Sequence, residues 1–79
     1  MANLESYNKV FVEAFMIEEN QLEGLKYQGV DEWDSVGHMN LIASLEEVFE
    51  VEMDIDDIID FSSYEKGKEL MRKYDVEIS

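Results

Sequence analysis

Apolar residues in the first part of the chain recur at the spacing of a helix. The stripe predicts a first amphipathic helix because its members lie three or four residues apart; it consists of Leu4, Tyr7, Val10, Phe11, Ala14 and Phe15. The periodicity is lost from about Met16 to Asp34, where Gly24 and Gly29 interrupt the chain. A loop of this length in a small domain is normally pinned by its own side chains. Five apolar residues of the loop are expected to do this: Leu22, Leu25, Tyr27, Val30 and Trp33.

Three more helical segments follow the loop. A second helix is predicted over about 35–50, and a turn with one short helix over 51–61. Ser62 and Glu65 have the S-x-x-E spacing of a capping box, which predicts a last helix reaching about Tyr74. The expected fold is all-α: a small four-helix bundle of three longer helices and one short helix, with a long loop between the first two.

Length and composition narrow the classes of function. The chain of 79 residues is expected to form a single domain over 1–79, with a flexible tail at 75–79. It has no cysteine and only one histidine, His38, so no thiol chemistry and no metal site are expected from its side chains. We find neither a signal peptide nor an apolar run long enough to span a membrane, and we expect a cytoplasmic protein.

Charge is the strongest global feature of the sequence. Twenty acidic and six basic residues give a formal net charge of −14. Such a chain is repelled by nucleic acid and is attracted to basic protein surfaces. We therefore expect protein partners, no nucleic acid, and a monomer. The alternative is that the acidic residues only keep a small protein soluble.

The second helix is apolar on two opposite sides. On a helical wheel one arc predicts the core face, formed by Leu41, Ile42, Leu45, Val48 and Phe49. The opposite arc carries Val36, Met39 and Ala43, and the polar residues beside them are Asn40, Glu46 and Glu47. An outward apolar stripe with an acidic rim is typical of a contact surface for a partner. The alternative is that these are single exposed apolar residues of the kind every protein surface has.

The pair Asp34-Ser35 stands where the loop becomes the second helix. Either residue is able to cap the helix by accepting a backbone N–H bond. A nucleophilic Ser35 with His38 as its base is disfavoured, because no third group orients the imidazole and no oxyanion hole is evident; His38 is better explained as a packed or loop-bonding residue. A serine modified by another enzyme is the remaining possibility, since a phosphate ester suits the positive end of a helix dipole.

The stretch "DSVGHMNLIASLEEVFEVEM" resembles the carrier helix of acyl carrier proteins, in which an Asp-Ser pair opens the second helix. The resemblance extends to most of the chain: its length, acidity and order of helices. It implies that a phosphopantetheinyl transferase attaches 4′-phosphopantetheine to Ser35, and that Asp34 helps this transferase to place its metal-bound coenzyme A. The chain would then be no enzyme itself but a carrier, visiting acyl-transfer, condensing or other acyl-processing enzymes with basic surfaces.

The same resemblance assigns two further groups of residues. The partner-binding group is Val36, Met39, Asn40, Ala43, Glu46, Glu47 and Asp57. The group lining a core that accepts an acyl chain is Leu41, Leu45, Phe49, Met53, Ile58 and Phe61.

The chain departs from the family pattern at three positions. Val36 stands where leucine is commonest, Gly37 where a polar residue is frequent, and Asp54 where proline often occurs. These departures favour a carrier for a specialised pathway over the general carrier of fatty-acid synthesis.

Three alternatives remain open at this point. One is a peptidyl or aminoacyl carrier, and another is an acidic helical adaptor without a prosthetic group. The third is a calcium loop over 54–65, which is disfavoured because Ile58 and Ile59 occupy its fifth and sixth positions.

Overall fold

A computed structural model describes residues 2–78. It contains four α-helices, α1 (Ala2–Phe15), α2 (Ser35–Phe49), α3 (Ile55–Asp60) and α4 (Tyr64–Arg72), with a 3₁₀ turn at Glu19–Gln21. Over the described residues no strand forms, and the only extended pairing is an isolated bridge between Lys26 and Ser63. The prediction of a small all-α protein is confirmed. Helix α4 is shorter than predicted, because the chain turns at residues 73–75.

An aromatic cluster fills the centre of the core. Phe11 of α1 is fully buried, and its ring lies 5.3 Å from that of Tyr64 and 5.6 Å from that of Trp33, both nearly perpendicular to it. Edge-to-face rings at this spacing contribute about 0.5–1.5 kcal/mol beyond the area they bury. Because Trp33 comes from the long loop and Tyr64 from α4, the cluster attaches both segments to α1.

The long loop is pinned to the core as predicted, with one exception. Leu22, Leu25 and Trp33 are buried and Val30 is partly buried, whereas Tyr27 remains 37% exposed. The backbone of the loop also pairs with the segment between α3 and α4. Tyr27 donates its N–H to the carbonyl of Ser62, and Leu25 accepts from the N–H of Tyr64, both at 2.9 Å.

Helices α1 and α2, and the turn that follows α4, are each closed by a non-glycine residue in the left-handed conformation. Met16, Glu50 and Asp75 have φ values of 56°, 56° and 64°. In each case the next backbone N–H bonds to a carbonyl five residues earlier, as in a Schellman motif. The three bonds run from Ile17 to Val12, from Val51 to Glu46 and from Val76 to Met71. Glycine is the usual residue at this position, so each of the three sites carries local backbone strain.

Close packing explains Gly67 in the middle of α4. A β-carbon on this residue would lie 2.1 Å from the Tyr7 hydroxyl and 2.2 Å from the end of the Phe61 ring. The Tyr7 hydroxyl itself donates to the carbonyl of Tyr64 at 2.6 Å. Glycine therefore allows α1 and α4 to approach, at a propensity cost of about 1 kcal/mol in the helix.

Two predictions about α2 and α4 are wrong. Ser63, and not Ser62, caps α4, because its hydroxyl accepts from the backbone N–H of Lys66 at 2.9 Å. Val48 is 47% exposed, although the wheel placed it on the core face. The physical reason is that Val48 lies at the margin of the arc that faces α1, where the neighbouring helix does not cover it.

Most of the predicted core residues are buried. Leu41, Leu45, Met53 and Phe61 have little or no exposed surface, while Phe49 and Ile58 pack against the core and are partly buried. The C-terminal segment predicted as a flexible tail contacts the rest of the protein. Val76 is buried, and Asn3 donates to the carbonyl of Glu77 at 3.0 Å; Ser79 lies outside the described residues.

Candidate functional site at the start of helix α2

The first turn of α2 leaves the Ser35 hydroxyl free of capping. Asp34 is the N-cap residue, with extended backbone, and its Oδ1 accepts from the N–H of Gly37 at 2.8 Å. Ser35 follows as the first residue of the helix and is exposed. The structure thereby decides between the two caps that the sequence left open. Because Asp34 satisfies the helix end, Ser35 presents its hydroxyl to solvent.

Gly37 lets the loop pass directly over this turn. A β-carbon on Gly37 would lie 1.9 Å from the carbonyl oxygen of Glu32. That oxygen belongs to the backbone, so it is unable to move aside as the end of a flexible side chain does. Glycine at position 37 is therefore required by the path of the loop into Asp34 and Ser35.

His38 links the loop, α2 and α3. The indole N–H of Trp33 donates to His38 Nδ1 at 3.0 Å, and His38 Nε2 lies 2.8 Å from the carbonyl oxygen of Ile58. Nδ1 is an acceptor, so the ring proton is on Nε2 and is donated to Ile58. The interpretation of His38 as a loop-bonding residue is confirmed. Both ring nitrogens are occupied, which leaves neither to act as a base for Ser35.

Tyr27 lies beside Ser35, a contact that the sequence did not predict. Its phenol oxygen is 3.4 Å from Ser35 Oγ. Its ring stands edge-on to the rings of Trp33, at 6.3 Å, and His38, at 5.5 Å. Tyr27 is eight residues before Ser35 in an aperiodic loop, and no local pattern in the sequence predicts that the two side chains meet.

Tyr27 also lines a small pocket. It has a volume of about 210 Å³ and is lined by Tyr27, His38, Ile59, Phe61 and Ser62. Ile59 is 72% exposed and forms an apolar edge of the pocket on α3. Of the six residues predicted to line an acyl site, Phe61 is the one that contributes to this pocket.

The outward stripe of α2 is exposed to solvent as its position on the wheel predicts. Val36 is 70% exposed and Met39 is 54% exposed. Three neighbours on the same face are also exposed: Asn40, Ala43 and Glu47. Ile55 of α3 is 73% exposed and was missed, because a helix of six residues is too short to show a periodic pattern.

Glu46 is engaged within the protein itself. Its side chain is partly buried, and Oε2 accepts from the backbone N–H of Met53 at 2.9 Å. This bond ties the end of α2 to the segment that leads into α3. Glu46 therefore supports the fold, while the neighbouring Glu47 is free to offer its charge to solvent.

Asp57 does not lie on the outward surface that was predicted to bind partners. It is 3% exposed, and Oδ1 accepts from Lys73 Nζ at 2.8 Å while Oδ2 accepts from the Tyr74 hydroxyl. The hydroxyl of Tyr74 accepts in turn from the N–H of Asp54 at 2.9 Å. The hydrogen bond from Lys73, and to a lesser extent the one from Tyr74, holds the pKa of the Asp57 carboxyl below its ordinary value. Asp57 attaches α3 to the end of α4, because its buried carboxylate needs a hydrogen-bonded partner, and the ammonium of the largely exposed Lys73 provides one.

The comparisons with known proteins add no family to this description. No family model, curated protein or solved structure matches the chain.

Two other structural features are absent from the described residues. Over residues 2–78, no helix combines the length and apolar character that crossing a membrane requires. Within the same range, no three acidic or histidine side chains converge as ligands for a metal ion. The segment 54–65 contains helix α3 at Ile55–Asp60, so it does not have the backbone of a calcium loop.

Proposed function

We propose that the protein is an acyl carrier protein with a four-helix-bundle fold, and that Ser35 is the attachment point for 4′-phosphopantetheine. The observation that supports this most directly is that the Ser35 side chain is exposed. Asp34, and not Ser35, caps the helix, because its carboxylate accepts the Gly37 N–H. A serine that serves only as a helix cap would have its oxygen occupied by a backbone N–H.

The residues around Ser35 fit the proposed group. The hydroxyl has the phenol of Tyr27 within 3.4 Å, and Tyr27 in turn lines a mainly apolar pocket. When bound, the prosthetic group supplies a thiol that carries acyl groups as thioesters, a function that a chain without cysteine has no other means to perform. Asp34 holds the Gly37 N–H with Oδ1 and remains exposed, so its carboxylate would be accessible to a transferase that places a metal ion at this site.

The surface next to Ser35 fits transient binding to basic partners. Val36 and Met39 offer apolar contact area, and Glu47 contributes to a net charge of −14. Charge of one sign speeds encounter with an oppositely charged enzyme, and the effect weakens as salt is added. On this account the transferase and the acyl-processing enzymes dock on the same face in turn. The chain is their substrate and shuttle and performs no catalysis.

The test of the proposal is covalent loading. The purified protein is incubated with coenzyme A, Mg²⁺ and a broad-specificity phosphopantetheinyl transferase, and its intact mass is measured. We expect a gain of one phosphopantetheine in the wild type and in Ser62→Ala, a control that removes a nearby exposed hydroxyl. Ser35→Ala is expected to show no gain. A gain that persists in Ser35→Ala would contradict the assignment.

The second candidate is an acidic adaptor that binds basic proteins without a prosthetic group. The exposed apolar residues Val36, Met39 and Ile55 favour it, because they suit partner binding whether or not Ser35 is modified. Absence of any mass gain with several different transferases would support the adaptor. A peptidyl or aminoacyl carrier would be loaded in the same way, and the acyl group found on the native protein would distinguish it.

A further inference from the structure

The phenol of Tyr27 is held in a fixed place beside Ser35. Its backbone N–H bonds to the Ser62 carbonyl at 2.9 Å, and its ring is wedged edge-on against Trp33 and His38. His38 is itself held at both ring nitrogens. The position of the phenol is therefore set by the packing of the loop on α2.

The contact between Tyr27 and Ser35 is long, so the phenol is able to form a stronger hydrogen bond with another group. The two oxygens are 3.4 Å apart, whereas O–H···O bonds are usually about 2.7–2.8 Å long. A phosphodiester on Ser35 Oγ would place two non-bridging oxygens, which share one negative charge, one bond beyond the phosphorus that is attached to that atom. A bond from a hydroxyl to such an oxygen is charge-assisted, and is about twice as strong as a neutral one.

We infer that Tyr27 is a positioning residue for the prosthetic group. Its O–H donates to an oxygen of the phosphodiester on Ser35, and its ring forms one wall of the pocket next to Ile59 and Phe61. The two contacts together direct the first part of the phosphopantetheine chain along the pocket. This inference rests on the proposed attachment at Ser35 and adds a residue to that site.

Phosphorus NMR of the loaded protein tests the hydrogen bond directly. Tyr27→Phe keeps the ring and removes only the hydroxyl, and Tyr74→Phe makes the same change at a tyrosine that is bonded to Asp57 and does not line the pocket. We expect the ³¹P resonance of Tyr27→Phe to shift toward that of the loaded protein unfolded in urea, with a narrower line. The resonance of Tyr74→Phe is expected to stay at the wild-type position. Coincident shifts and line widths in the wild type and Tyr27→Phe would overturn the inference.

A second measurement uses only the wild-type protein, so it does not depend on how the variant folds. With labelled tyrosine, the ring resonances of Tyr27 should move when Ser35 is loaded, while those of Tyr74, bonded to Asp57 elsewhere in the protein, should not. Tyr27 resonances that do not change on loading would also overturn the inference. If the protein acquires no phosphopantetheine at all, the proposed function fails, and the role of Tyr27 fails with it.

Discussion

The carbonyl oxygen of Glu32 lies 1.9 Å from the place that a β-carbon on Gly37 would occupy. This relationship holds the end of the loop against the first turn of α2, where Asp34 caps the helix and Ser35 is exposed. Glycine at this position is normally a weakness in a helix. Here it is the residue that the path of the backbone requires.

Gly37→Ala should therefore destabilise the protein, although alanine is the better helix former. The propensity gain is at most about 1 kcal/mol, whereas forcing a methyl group against a fixed backbone atom costs about 1–3 kcal/mol or more. Urea unfolding followed by circular dichroism measures the net change, which we expect to be a loss. Asn40→Ala, an exposed alanine substitution on the same helix, is the control and should be neutral or slightly stabilising. A Gly37→Ala protein as stable as Asn40→Ala would show that the loop does not take this path.

Glu50→Gly should stabilise the protein. Glu50 has a φ of 56°, and non-glycine residues in this region carry about 1–2 kcal/mol of strain. Part of the gain is offset because glycine makes the unfolded chain more flexible, which leaves an expected net gain of about 1 kcal/mol. Glu50→Ala removes the same charge without relieving the strain, so the difference between the two variants isolates the backbone effect. Equal denaturation midpoints for the two would contradict the assigned helix end.

Asp57→Asn should lower stability at neutral pH and much less in acid. The folded-state pKa of Asp57 lies below its ordinary value of 3.8, so its contribution to stability is present above pH 3.8 and disappears as the pH falls through the lower folded value. The free energy of unfolding of the wild type and of Asp57→Asn, measured at several pH values, should converge below pH 3.8. A difference that stays constant from neutral pH into strong acid would exclude the ionised carboxylate as its source.

Glu47→Lys should slow loading by a phosphopantetheinyl transferase and weaken its dependence on salt, because steering by opposite charge is screened by ions. The fold should be unaffected, since Glu47 is exposed and Glu46 provides the bond to Met53. Glu69→Lys makes the same charge change on α4 and should have a smaller effect. Identical kinetics for the two variants across salt concentrations would place the docking face elsewhere.

Met39→Ala tests the apolar part of the same face. Truncating an interface side chain of this kind commonly costs on the order of 1 kcal/mol of binding energy. We expect a higher KM of the transferase for this variant. Its stability should be unchanged, because Met39 is more than half exposed. The matched control is Met16→Ala, which truncates another exposed methionine at the end of α1 and should leave KM unchanged. If the KM of Met16→Ala rose as much as that of Met39→Ala, the effect would be a general one of surface truncation and would contradict the assignment of Met39 to the docking face.

Periodic segments of the sequence predicted the fold well. The stripe from Leu4 to Phe15 forms α1, and α2 has both its buried side and its exposed stripe where the wheel places them. These predictions succeed because a helix with one apolar side must bury it, and the spacing is visible in the sequence. The exception, Val48, is exposed because coverage at the edge of an arc depends on where the next helix lies.

Contacts between distant segments were not predictable from the sequence. Asp57 is held by Lys73 and Tyr74, which lie in the turn after α4, and the separations of 16 and 17 residues between the partners hide their pairing in the sequence. The meeting of Tyr27 with Ser35 depends on the folded course of an aperiodic loop. Ser62 and Ser63 differ by one position, and the choice of cap depends on the backbone turn rather than on residue type.

The mass of the protein purified from its native cell tests the central claim most directly. Intact mass spectrometry, followed by fragmentation, shows what is attached and to which residue. We predict one 4′-phosphopantetheine on Ser35, alone or with an acyl group on its thiol. A native protein that carries no such group at Ser35, obtained from cells growing actively, would contradict the claim that this serine is an attachment point.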